Sequence, residues 1–124
     1  MQEQQLPIPV IMAGGQGRRL QPLTDTLPKP LVPIAGQGAL MRILDLLHRH
    51  GYREAILSLC YRAEQIRAAC GQSMCGVKLY YACEQTPLGT AGGVRQALRQ
   101  HTAFAARQVL VISGDAVCTF DLAK

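Results

Sequence analysis

One stretch constrains this chain more than any other: an apolar run, Ile8 to Ala13, that opens directly into Gly14, Gly15 and Gly17 and then Arg18 and Arg19. The run reads as a buried strand. Glycines at a strand exit let backbone N–H groups come close to an anion. Two arginines set fixed positive charge beside them. A further cation, Lys29, stands between Pro28 and Pro30, and the prolines keep that segment extended and out of any helix. Together these residues read as a phosphate cradle for a nucleoside triphosphate. The glycines alone do not decide it, since an ordinary tight turn uses the same residue. Leu20 stands where a dinucleotide fingerprint needs its third glycine, and the Gly-Lys-Ser/Thr of a Walker A loop is absent.

The rest of the chain alternates strand and helix signals. Leu40, Ile43, Leu44 and Leu47 fall at helical spacing in Ala39 to His50, with Gly51 as the stop. Glu54 to Cys60 reads as a second strand, and Ala63 to Cys70 as a short helix ended by Gly71. Val77 to Ala82 reads as a third strand, and Glu84 to Gly89 as a loop. Thr90 is placed to N-cap a helix running to about Gln100. Val109 to Ile112 is a short, wholly apolar fourth strand. Strands separated by helices imply right-handed βαβ units and a mainly parallel sheet covered on both faces. The expected fold class is therefore α/β, Rossmann-like, with flanking helices. Ligands in such sheets bind at the carboxyl ends of the strands. That is where the Gly14 loop, the Glu84 loop and Ser113-Gly114-Asp115 all begin.

At 124 residues the chain allows one small domain with a modest core. No apolar run is long enough to span a bilayer, and no secretory leader is evident, so the cytoplasm is the expected location. The net charge of +5 points to anionic partners. Only 5% of residues are aromatic, which leaves few platforms for stacking bases. Phosphorylated small molecules are favoured over nucleic acid. None of the five cysteines forms a CxxC pair, so reduced thiols are expected, with Cys60 and Cys83 as small apolar residues at strand ends. His48, Arg49 and His50 suit the last turn of a helix without any metal.

Three blocks resemble a known family. AGGQGRRLQPLT with LPKPLVPIAG, EQTPLGTAGGV at Glu84 to Val94, and VLVISGDAVCTFDL at Val109 to Leu122 are similar to the sugar-1-phosphate nucleotidyltransferases, the NDP-sugar pyrophosphorylases. The likeness is closest to the mannose-1-phosphate guanylyltransferase branch. It implies an enzyme of nucleotide-sugar biosynthesis that joins a nucleoside triphosphate to a sugar 1-phosphate and releases pyrophosphate. The best-fitting pair is GTP and mannose 1-phosphate; thymidylyl, uridylyl, adenylyl and cytidylyl transfer to glucose 1-phosphate stay open.

The same resemblance implies the site. Ala13, Gly14, Gly15, Gly17 and Arg18 of the first block, with Glu84, Pro87, Gly89 and Thr90 of the second, would lie against the nucleotide. Arg19 would hold the β- and γ-phosphates, Lys29 would bridge the reacting phosphates, and Asp115 would bind catalytic Mg²⁺. Glu84 would help select guanine, because a carboxylate accepts from the adjacent N1–H and N2–H. The family more often has a small residue where Arg18 stands. Family members are also much longer, so residues 1–124 are expected to be the nucleotide-binding part of a nucleotidyltransferase domain truncated at its C-terminus. Such a part would hold nucleotide without turning over, and would expose apolar surface that leaves room for a homo-oligomer. A non-catalytic nucleotide-binding module is the competing class. An oxidoreductase is disfavoured by Leu20 and by the lack of an acidic residue ending the second strand.

Overall fold

The computed structural model describes residues 6–13, 33–34, 37–60, 63–83, 89–104 and 106–113. Strand β1 (Ile8–Met12) is followed by a short antiparallel pair, β2 (Pro33–Ile34) and β3 (Gln37–Gly38). Helix α1 (Ala39–Arg49), strand β4 (Glu54–Leu59) and helix α2 (Ala63–Cys70) come next. Then come β5 (Ser73–Met74), β6 (Val77–Cys83), helix α3 (Gly89–Gln100), a 3₁₀ turn (Thr102–Phe104) and β7 (Val109–Ser113). The main sheet has five strands in the order β5-β6-β4-β1-β7. The α/β reading with a mainly parallel sheet holds: β6, β4, β1 and β7 are parallel, and β5 alone runs antiparallel at one margin.

Period-two alternation along the strands sorts the core into two layers. Ile11, Ala13, Ala55, Leu57, Leu59, Val77 and Leu79 face α1 and α2, meeting Leu40, Leu44, Leu47 and Ile66. Ile8, Val10, Ile56 and Ala82 face the opposite way and meet Ala97 of α3 and Phe104. This follows from handedness. The chain steps β1 to β4 to β6 in one direction, then returns past β1 to β7, so right-handed crossovers put α3 on the other face. The direction reverses between β1 and β7, and that is the topological switch point of this sheet.

The helix stops behave as the glycines suggest. Gly51 sits at φ +89. Its N–H bonds the His48 carbonyl while the Tyr52 N–H bonds the Leu47 carbonyl, which is the Schellman arrangement. Gly71, at φ +65, closes α2 through its N–H to the Arg67 carbonyl.

Several boundaries differ from the sequence reading. β1 stops at Met12, α1 at Arg49 and β4 at Leu59, each one residue early, while β6 runs one residue further, to Cys83. α3 begins at Gly89, so Thr90 lies inside its first turn rather than capping it. Capping preference depends on where the backbone turns helical, and a helix end shifts by a residue without cost to its pattern. Cys60 and Cys83 are half-buried, whereas Cys70 is buried. No helix among the described residues is long and apolar enough to cross a membrane.

Candidate functional site

The carboxyl ends of the four parallel strands form one row. Met12 pairs with Ser58 on one side and with Ser113 on the other. Leu59 pairs with Cys83. The Ala13 N–H donates to the Ser58 carbonyl at 2.9 Å, carrying the β1–β4 ladder one step past the strand. Ala13 is 2% exposed and its methyl lies in the layer under α1, so with its N–H already bonded to Ser58 its carbonyl is what it can offer a ligand.

Three chain exits therefore line this row. Residue 14 follows Ala13, residue 84 follows Cys83 and residue 114 follows Ser113. With neighbouring strands about 4.8 Å apart, the exits of β1 and β7 are adjacent, and β6 and β7 are about 14 Å apart. The glycine-arginine stretch and Ser113-Gly114-Asp115 thus leave from the two strands that flank the switch point. Gly14, Gly15, Gly17, Arg18, Arg19, Lys29, Glu84, Pro87 and Asp115 lie outside the described residues. Gly89 and Thr90 open α3.

α3 closes the third side. It follows β6, so its N-terminus lies on the carboxyl side of the sheet, and a helix's first turn favours anions. Gly93 and Ala97, four residues apart, are its buried positions among residues 91–100. Small residues at that spacing let the helix pack close over β1, β4 and β6. Two polar anchors hold it there. Gln96 Nε2 donates to the Cys83 carbonyl at 3.0 Å, and His101 Nε2 donates to the Tyr81 carbonyl at 2.8 Å. Sequence reasoning missed both, because a Gln and a His on a helix carry no periodic signal of which carbonyl they meet. Among the described residues Ser58 is the one buried polar residue at the row, 2% exposed.

The described residues hold no group of three or more His, Cys, Asp or Glu arranged for a metal. Their perturbed groups sit away from the row and are poor nucleophiles. Burial, with Cys75 nearby, pushes the Cys70 thiol up to about 11. Burial and Asp45 raise Cys75. Tyr81 is pushed up to about 12 by burial first and Cys70 second, against the opposing pull of Arg67. Protonated thiols do not attack, so the described residues supply no covalent nucleophile from this group. What they supply is a scaffold that brings the ends of β1, β6 and β7 and the start of α3 to one edge.

The model of the Nucleotidyl transferase family matches residues 8–124. The chain belongs to that family. Among its relatives, D-glycero-alpha-D-manno-heptose 1-phosphate guanylyltransferase of Aneurinibacillus thermoaerophilus is 36% identical over 93% of the chain and 49% of its own length. Mannose-1-phosphate guanylyltransferase of Mycobacterium tuberculosis is also 36% identical, over 93% of the chain and 32% of its own length. Among solved structures, HddC from Yersinia pseudotuberculosis complexed with GMP-PN is 33% identical. It superposes with a TM-score of 0.79 over 95% of the chain and 52% of its own length. The chain thus spans about half the length, or less, of these relatives.

Proposed function

We propose that this chain is the nucleotide-holding portion of a sugar-1-phosphate nucleotidyltransferase, working on GTP and a manno-configured sugar 1-phosphate, with mannose 1-phosphate first. The carrying observation is that the family match runs from residue 8 to 124 while β1, β6 and β7, the strands that lead into its three motif blocks, all end at the same edge of the sheet. The relatives named for guanylyl transfer and the neighbour crystallised with GMP-PN support the base.

In this reading a phosphate oxygen of the sugar phosphate attacks the α-phosphorus in line. The bond from the α-phosphorus to its bridging oxygen breaks, and pyrophosphate leaves. The protein's task is to bring two repelling anions together and to neutralise the leaving charge. Gly14, Gly15 and Gly17 admit the phosphates to the backbone beside Ala13. Arg19 holds the β- and γ-phosphates and Lys29 bridges the reacting pair, with Arg18 adding charge at the same exit. Glu84 accepts from guanine N1–H and N2–H, while Pro87, Gly89 and Thr90 shape the base pocket where α3 begins. Asp115 would hold Mg²⁺, whose hard charge suits carboxylate and phosphate oxygens and would offset the triphosphate's negative charge. The setting is the cytoplasm, with small phosphorylated partners rather than nucleic acid or membrane.

Calorimetric titration tests this. GTP is expected to bind more tightly than UTP, dTTP, CTP or ATP, and Arg19→Ala to cost about 1.5–3 kcal/mol, the range for charge-assisted hydrogen bonds. Glu84→Gln is expected to erode the preference for GTP over UTP. Unchanged GTP affinity in Arg19→Ala removes Arg19 from the site, and a wild-type preference for UTP or dTTP overturns the guanine assignment. Pyrophosphate release with GTP and mannose 1-phosphate then asks whether the 124 residues turn over.

A further inference from the structure

The side of β6 that no described strand covers shows how the last peptide groups of that strand are held. The Lys78 N–H bonds the Arg53 carbonyl, towards β4, while the Leu79 N–H bonds the Gln72 carbonyl, towards the opposite side. Peptide groups alternate along a strand, so Tyr81 and Cys83 share the direction of Leu79 and point away from β4. β5 pairs only with Val77 and Lys78. From Leu79 onward no strand among the described residues covers that side of β6.

Edge carbonyls left bare at a half-buried margin are costly. Here α3 supplies their donors from side chains: His101 to Tyr81 and Gln96 to Cys83. The His101 ring is further held edge-on against Tyr80, with centroids 5.5 Å apart. Its position is thus explained by packing against the strand. Gln96 is placed differently. It takes the last carbonyl of β6, which belongs to the peptide joining Cys83 to Glu84.

We propose that Gln96 is a positioning residue for the base-reading segment 84–88, fixing its entry by holding the Cys83 carbonyl. The peptide is planar, so orienting that carbonyl also orients the Glu84 N–H and the direction in which the chain leaves the sheet. The segment is five residues long and ends where α3 begins, at Gly89. Gln96 lies on that same helix, seven residues on, so the helix that begins where the segment ends also bonds the carbonyl that precedes it. This rests on the guanine-reading role given above to Glu84, and extends it to a residue outside all three motif blocks.

The test compares Gln96→Met, which keeps size without a donor, Gln96→Glu, which can only accept when ionised, and Gln96→Lys, which restores a donor. His101→Ala serves as a control that loosens the same margin farther from the segment. Affinity is measured for GTP and for inorganic tripolyphosphate, a probe of the phosphate cradle alone, and amide exchange is followed over 84–88. In Gln96→Met and Gln96→Glu the ratio of GTP to tripolyphosphate affinity falls roughly two- to tenfold, the worth of one hydrogen bond. Exchange over 84–88 quickens, and Gln96→Lys recovers both. His101→Ala lowers the melting temperature and leaves the ratio intact. The assignment is overturned if Gln96→Met keeps the wild-type ratio and exchange, or if His101→Ala erodes the ratio equally. Wild type binding neither GTP nor tripolyphosphate would sink the nucleotide reading instead, and the exchange comparison would still decide whether Gln96 holds the segment.

Discussion

Cys70 shows how one residue's chemistry follows from its place. It ends α2 and is 4% exposed, packed beneath the strands with Ile66 and Val77. Burial first, then Cys75, lifts its thiol from 9.0 to about 11. The neutral thiol is thus favoured by folding. The stability this confers is fully present below about pH 9 and is lost as pH rises through about 11. Tyr81, raised from 10.0 to about 12, acts in the same direction slightly higher. Wild type is therefore expected to lose stability steeply between pH 9 and 11 in urea titrations, and Cys70→Val to lose less over that window. Equal slopes would mean that the Cys70 thiol does not see the burial described here. The sequence reading assigns small apolar packing to Cys60 and Cys83, which are half-buried, and makes no such reading of Cys70, which is buried. The partners of Cys70 were not legible, because Cys75 meets the same core through a turn with no periodic signature.

The helices and strands show which signals carry. α1 was readable because Leu40, Ile43, Leu44 and Leu47 repeat at helical spacing and all four are buried. Its stop was readable because Gly51 adopts φ +89, a region open to glycine and strained for residues with a Cβ. Gly51→Ala is expected to cost about 1 kcal/mol or more through that strain. A control, Ala69→Gly, at an exposed position of α2, should cost a similar amount by the opposite route, lost helix propensity. Chemical denaturation of both checks the pair, and a neutral Gly51→Ala would show that the Schellman turn relaxes freely. β5 was not readable. Two residues cannot display alternation, and Ser73–Met74 is a strand only because β6 lies beside it. The start of α3 was misplaced for a related reason: Thr90 has the right chemistry for a cap, but the turn into helix comes at Gly89.

At the scale of the whole molecule, strand alternation and handedness made the parallel sheet and its carboxyl-end row readable, while the extent of its cover was not. The sequence presents Val109 to Ile112 as an apolar strand that should be buried on both faces. Among the described residues β7 is a margin of the sheet. Its apolar residues are half-buried at best and Val111 is 46% exposed. Apolar character reports what a strand needs, but not which neighbour supplies it. Among the described residues β1 is the only strand paired with β7, and residues 109–113 include no Lys, Pro or charge to guard the outer edge. Unguarded apolar edges recruit further strands. The 124-residue polypeptide is therefore expected to self-associate as its concentration rises, through β7. Val111→Lys places a charge on that margin without touching the core, and should move the sedimentation-derived mass toward the monomer while leaving the melting temperature within a few degrees, as for a surface change. A chain that stays monomeric at all concentrations would show the margin to be covered, and association indifferent to Val111→Lys would put the contact elsewhere.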